Sequence, residues 1–259
     1  MSFAASVGRV GGATLGALRE VGAGAQLLGG ALAALVRPPF VSPRLVVRQC
    51  ASIGVHSIPV VLLTGLFSGM VLALQSANAF ARFGAEDLVG TVVALAMVRE
   101  MGPVLAGIMV TARVGSAMAA ELGSMKITEQ IDALVTLATN PVRFLVLPRL
   151  LATTFMLPCL VLFADAIGIL GGWIVAVRLL GTNPALYERR TLQFLDVDDL
   201  VLSLAKAAAF GATLAAVSCY HGLRVEGGAR EVGQAVTRSV VISLIGILVL
   251  NYVLTAWAA

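Results

Sequence analysis

Residues 88–112 read LVGTVVALAMVREMGPVLAGIMVTA. At about 1.5 Å per residue, a helix over this run is long enough to cross a hydrocarbon core of roughly 30 Å. It shows no alternation with period two, so it is not a strand of a membrane β-barrel. Its middle is unusual, because Arg99-Glu100 is followed directly by Gly102-Pro103. On a regular helix Arg99 lies about 16 Å beyond Leu88, near the midplane of a bilayer. A charge there costs at least about 2.5 to 3.5 kcal/mol, so it must face protein, water or a ligand. Pro103 lacks a backbone donor and crowds the carbonyl four residues before it, which predicts a kink beside Arg99.

Four more apolar runs flank this one, at Ile53–Phe80, Leu150–Val177, Leu200–Leu223 and Ser239–Trp257. Composition agrees with them. The 259 residues are 59% hydrophobic and 12% charged, against about 25% charged in a soluble domain, and mean hydropathy is +0.96. A soluble fold of this length could not cover its exterior with so few charges. The expected fold is an all-α polytopic membrane protein, a single domain over residues 1–259 with about five transmembrane helices. Gly65 with Gly69, and Gly168 with Gly172, have the small-residue spacing that lets helices approach closely, chiefly within one chain. No internal repeat is evident, so a pathway between equivalent halves needs a second copy.

Charge distribution sets an expected orientation. Arg9, Arg19, Arg37, Arg44 and Arg48 precede the first span; Arg113, Lys126, Arg143 and Arg149 lie between the second and third; Arg224, Arg230 and Arg238 lie between the fourth and fifth. The opposite loops hold only Arg82, Arg178, Arg189 and Arg190. The richer side is cytoplasmic by the positive-inside rule, which puts the amino terminus inside and the carboxyl terminus outside. The net charge of +4 thus reflects asymmetric loops and not a nucleic-acid partner. Residues 1–48 read as an amino-terminal interfacial region. The uncharged run Val21–Val36 is short for a span and is closed by Arg37-Pro38-Pro39, and no strongly apolar segment follows the first arginine as in a signal peptide.

Several chemistries are excluded. Cys50, Cys159 and Cys219 are far apart without a CxxC pair, and His56 and His221 have no HExxH spacing, so neither a zinc site nor a disulfide framework is expected. The chain lacks a GxxxxGK[ST] loop and is not expected to hydrolyse ATP by itself.

Two regions remain as candidates. Glu121–Asn140, ELGSMKITEQIDALVTLATN, has the one-face spacing of a helix through Ile127, Ile131, Leu134, Val135 and Ala138, and ends at Asn140-Pro141. Its polar face carries Glu121, Glu129 and Asp132 against Lys126. Acidic residues suit an anionic inner leaflet poorly, so a cytoplasmic protein partner is the better reading. Within the spans, Lys206 and Asp165 join Arg99 and Glu100 as intramembrane charges. They either pair internally, for example Arg99 with Asp165 or less favourably with its neighbour Glu100, or line a cavity whose cations meet an anionic headgroup. Gln75 and Asn78 extend that lining or cap the first span.

Laid out in order, the chain resembles the MlaE-type permeases, membrane subunits of ABC transporters that move lipids with MCE-domain proteins. The resemblance runs from Arg48 onward and is strongest in REMGPVLAGIMVTARVGSAMAAELGSMKITEQIDAL (Arg99–Leu134) and NPVRFLVLPRLLA (Asn140–Ala152), with GMVLALQ (Gly69–Gln75) and VLTA (Val253–Ala256). It implies a homodimer in the cell inner membrane, a separate ATPase that binds ATP and Mg²⁺, an MCE protein on the periplasmic side, and a small STAS-domain protein on the ATPase. It further implies a phospholipid substrate near Arg99, Glu100 and Lys206, and Gln75, from the polar lining read above, completes the candidate substrate-binding set. Glu121, Lys126, Glu129, Gln130, Asp132 and Leu134 are then expected on a cytoplasmic coupling helix, residues 121–140. The chain itself is expected to hold no cofactor. A proton-coupled secondary transporter, or a lipid-modifying enzyme using Glu100 and Asp165, are the alternatives.

Overall fold

The computed structural model describes residues 42–84 and 88–258, with isolated positions between 22 and 30. Apart from those isolated positions, the expected interfacial region lies outside the described residues up to position 41. Residues 43–48 of that region form the start of the first long helix.

Among the described residues the chain forms seven helices: α1 (Pro43–Phe80), α2 (Val89–Ile127), α3 (Gln130–Thr136), α4 (Val142–Leu179), α5 (Pro184–Phe194), α6 (Val197–Leu223) and α7 (Ala229–Ala258). Five of them, α1, α2, α4, α6 and α7, are long and apolar enough to cross a membrane. The fold is therefore an all-α polytopic membrane bundle. Residues 81–84 and 180–196 lie at one end, called here the α5 end. Residues 128–141 and 224–228 lie at the other, the α3 end.

The helices outrun the apolar segments of the sequence. α2 has 39 residues, about 58 Å at helical rise, nearly twice the hydrocarbon thickness. A span ends in composition where charges begin, but a helix ends only where its backbone bonding stops. Arg113, expected in a loop, thus lies inside α2 and donates to Ser57 Oγ of α1 at 2.7 Å. Arg149, also expected in a loop, is buried in α4.

Helix packing rests on absent side chains. A Cβ on Gly69 would come within 1.9 Å of the Gly168 carbonyl oxygen, and one on Gly65 within 2.8 Å of that of Ala164. The small-residue rows of α1 and α4 therefore meet each other within the chain, backbone against backbone. Around Phe210, Leu157, Val110 and Ile247 a buried apolar core joins α2, α4, α6 and α7. α7 is loosely held by comparison and leaves Val241, Ile245, Leu248, Tyr252 and Trp257 exposed on its outer side.

At the α5 end sits a helix that the sequence reading left as loop. Asn183 accepts a hydrogen bond from the Ala185 backbone and Pro184 occupies the first turn, a standard helix start. α5 then packs Tyr187 against Gly90 and Gly172, with the phenol hydroxyl donating to the Ile169 carbonyl at 3.4 Å. Burial pushes the Tyr187 phenol well above its ordinary range.

Candidate functional site

The site grows from Pro103. In an α-helix the Arg99 carbonyl would accept from the backbone of residue 103, which as proline has no N–H. α2 responds with a π-helical turn at Met97–Met101, in which Gly102 N donates to Met97 O. The Arg99 carbonyl is instead taken by Lys206 Nζ from α6 at 2.7 Å. Lys206 is 0% exposed. Its two other protons reach Glu100 Oε1 at 2.9 Å and Thr255 Oγ1 at 2.8 Å. All three ammonium donors are thereby used, which is what a desolvated lysine requires.

Glu100 is the hub of the same cluster. Its second oxygen accepts from Asn251 Nδ2 of α7 at 2.6 Å, and the Thr255 hydroxyl lies 2.9 Å from Oε1 and 2.8 Å from the Asn251 carbonyl. Arg99 turns away from its neighbour and donates through Nε to Asp199 Oδ1 at 2.6 Å. Asp199 is held in the first turn of α6 by a capping box with Asp196. The Arg99 side chain stays 51% exposed, with its terminal nitrogens open.

The structure thus brings Arg99, Glu100 and Lys206 together but pairs them in its own way. Arg99 binds neither Glu100 nor Asp165, as the sequence suggested it could; it binds Asp199, which the sequence reading left in an outer loop. Gln75 does not join them: it is exposed on α1 and makes no hydrogen bond to the cluster. Asp165 is buried on α4, and neither of its oxygens has a hydrogen-bond partner among the described residues. Asn251 and Thr255 were missed. Their signal was available, since two polar residues four apart share one face of an otherwise apolar helix.

The second candidate region divides where one helix was expected. α2 runs on to Ile127, the chain turns through Thr128 and Glu129, and α3 restarts at Gln130. Glu129 adopts a left-handed conformation, φ 59°. Thr128 Oγ1 donates back to the Ser124 carbonyl, Gln130 Nε2 donates to Thr128 Oγ1, and Lys126 Nζ clamps Asp132 at 2.9 Å across the turn. Ile131 is buried against Leu122, Leu145 and Cys219, with Leu134 beside it, while Val135 and Leu137 point outward. α3 ends with Ala138 at φ 56°, where Ala138 N donates to Val135 O and Thr139 N to Leu134 O, the Schellman pattern. Glu121 is not free: it pairs with buried Arg149 Nη2 at 2.8 Å. Glu129 makes no ion pair among the described residues. The α3 end therefore presents a short, firmly seated helix with an acidic and apolar outer face.

Comparison with known proteins places this geometry. The family model described as Permease MlaE matches residues 46–257. A probable ABC transporter permease protein of Rickettsia typhi is 47% identical over 225 residues, covering 87% of this chain and 86% of that one. A probable ABC transporter permease protein of Synechocystis is 37% identical over 215 residues, covering 83% and 82%. The Arabidopsis thaliana protein named Trigalactosyldiacylglycerol 1, chloroplastic, is 36% identical over 214 residues, 83% of this chain and 61% of that one. A permease of this type works with an ATPase subunit and is the non-catalytic membrane component of the transporter. The chain belongs to the MlaE permease family of ABC transporters.

Proposed function

We propose that this permease moves phospholipid between the cell inner membrane and a periplasmic MCE-domain protein, as one of two copies driven by a separate ATPase, and so maintains outer-membrane lipid asymmetry. The observation that carries the reading is the Arg99, Glu100 and Lys206 cluster: a charged group part way along an apolar bundle, with Arg99 open to one side. The terminal nitrogens of Arg99 are left over from its pair with Asp199, and a phosphate headgroup offers oxygens that the planar guanidinium fork can grip bidentately. The name of the Arabidopsis relative contains a glycerolipid, which supports a lipid substrate. The exposed apolar faces of α1 and α7, including Phe67, Val71, Leu248 and Tyr252, suit acyl chains and a second copy.

The ATPase, with its own ATP and Mg²⁺, docks on the α3 end and carries any STAS-domain protein with it, while the MCE protein faces the α5 end. Glu129, Gln130 and Asp132 present the polar contacts, and Leu134 seats the helix on its own bundle. Basic loop charges support a cytoplasmic α3 end and amino terminus, with a periplasmic carboxyl terminus. Nucleotide state can shift the permease only if the ATPase binds its conformations with different affinity. The test is lipid transfer from proteoliposomes to the MCE protein, with and without ATPase and ATP. Transfer that requires ATP supports the reading; transfer driven by a proton gradient alone, or chemical conversion of the lipid, overturns it.

A further inference from the structure

The cluster leaves one buried ionisable group unused. Asp165 is 3% exposed in the middle of α4, and neither oxygen accepts a hydrogen bond. Its side chain interacts with the Ser203 hydroxyl of α6, yet no hydrogen bond of good geometry closes between them, and Ser203 Oγ is also buried and unpaired. One carboxylate oxygen occupies the space a Cβ of residue 102 would fill, only 1.7 Å from that position. Gly102 therefore opens a notch in α2 that admits the Asp165 carboxyl.

Lys206 of α6 reaches the same segment of α2. It holds the Arg99 carbonyl, and Arg99 and Gly102 are three residues apart along α2, within a single turn. Ser203, which faces Asp165, lies on α6 about one turn before Lys206. A lysine stem with four rotatable bonds spans such a distance by changing rotamer. No other charge competes for Asp165. α4 carries none between Arg149 and Arg178 besides Asp165, α1 has only His56 between Arg48 and Arg82, and α7 has none after Arg238. α2 also carries Arg113, Glu121 and Lys126, which bind Ser57, Arg149 and Asp132, and α6 carries Asp198 in its first turn and His221 in its last; that leaves Arg99, Glu100, Asp199 and Lys206, of which Arg99 and Asp199 bind each other.

We infer that Asp165 is a second counter-ion for Lys206, and that Lys206 exchanges between Glu100 and Asp165 as an anionic headgroup enters beside Arg99. In the state described here Lys206 is an ammonium on the Glu100 carboxylate, and Asp165 carries its own proton because a lone buried carboxylate is too costly. On exchange, one Lys206 N–H breaks and an O–H forms on Glu100. The resulting amine turns to Asp165, whose O–H breaks as the ammonium is restored. Protons and net charge are the same before and after, so no outside donor is needed. The exchange neutralises Glu100, which otherwise repels a phosphate, and turns it into a hydrogen-bond donor. Asp165 is thus a positioning residue and does not touch the lipid. The inference deepens the phospholipid reading and rests on it for the timing of the exchange, though not for the exchange itself.

Infrared spectroscopy of the full permease–ATPase complex in nanodiscs reads the protonated carboxyl directly. A carbonyl band of a protonated acid is expected in the unaltered protein, absent in Asp165→Asn, absent in Glu100→Gln because Lys206 has moved to Asp165, and restored in Glu100→Gln with Lys206→Met. A band that persists in Glu100→Gln, or that never depends on Asp165, overturns the inference. If Glu100→Gln fails to fold, Asn251→Ala with Thr255→Val loosens Glu100 without removing a charge. With carbon-13 in the aspartate carboxyls, that variant should lose half or more of the labelled Asp165 band and gain an unlabelled Glu100 band, and an unchanged Asp165 band overturns the inference equally. Adding phosphatidylglycerol, but not a neutral glycolipid, should move the band from labelled Asp165 to Glu100 in the unaltered protein. If the variants behave as stated and neither lipid has any effect, the counter-ion assignment stands and the phospholipid reading falls.

Discussion

Lys206 supplies to the Arg99 carbonyl the hydrogen bond that Pro103 cannot. The proline leaves an acceptor open inside the membrane, where no water can fill it, and the lysine ammonium sits 2.7 Å away. A backbone defect and a buried charge, each unfavourable alone, are satisfied by one contact. This relation ties α2 to α6, and through Glu100 to α7, at the place where the bundle is least apolar.

The first prediction concerns that mutual dependence. Lys206→Met should destabilise the permease by an order of 3 kcal/mol, since Glu100 and the Arg99 carbonyl both lose their partner. Glu100→Gln in the same chain should recover much of the loss. The figure is below the upper range for buried pairs because Glu100 is partly exposed. Thermal unfolding of the single and double variants checks this, and simple additivity of the two losses would contradict the coupling.

Backbone contact between α1 and α4 gives a second expectation. Gly69→Ala places a methyl group 1.9 Å from the Gly168 oxygen, and rigid backbone on both sides cannot yield. Loss of several kcal/mol, or no folded protein, is expected. Gly233→Ala in α7 meets nothing within 4 Å and should stabilise by about 0.5 to 1 kcal/mol. Equal tolerance of the two in a melting assay would show that the helices do not touch in this way.

Ala138 closes α3 in a conformation that favours glycine. Ala138→Gly should therefore raise stability by roughly 1 kcal/mol, seen as greater protection of the α3 amides from hydrogen exchange. Reduced protection would mean that the left-handed cap is not occupied.

On the outer face of α3, Glu129→Lys with Asp132→Lys should release the ATPase while the permease stays monodisperse. The Lys126 to Asp132 pair lost in the process is exposed and worth at most about 1 kcal/mol. Unaltered co-purification of the ATPase would remove these residues from the coupling surface.

How far the sequence carried differs by feature, for physical reasons. The five spans were legible because lipid imposes apolar runs of fixed minimum length. Their ends were not, because α2 continues through Arg113 to Ile127 on backbone hydrogen bonds that hydropathy does not register. The break at Thr128 and Glu129 was hidden for a related reason. Ile127, Ile131 and Leu134 keep helical spacing across it, and neither glycine nor proline marks the turn. Arg99, Glu100 and Lys206 stood out as charges among apolar residues, but their partners depended on which faces α2, α6 and α7 turn to each other. Asp199 looked like a loop acid until the capping box fixed it at the start of α6. Gln75 is polar within an apolar span, but it is exposed on α1 and makes no hydrogen bond to the cluster.

The most direct measurement is photocrosslinking of phospholipid to a photoreactive residue at Asn251, in the permease–ATPase complex, with and without ATP. The account predicts a lipid adduct whose yield changes with ATP and falls at least tenfold in Arg99→Ala. An adduct of equal yield in both proteins and in both nucleotide conditions would contradict it.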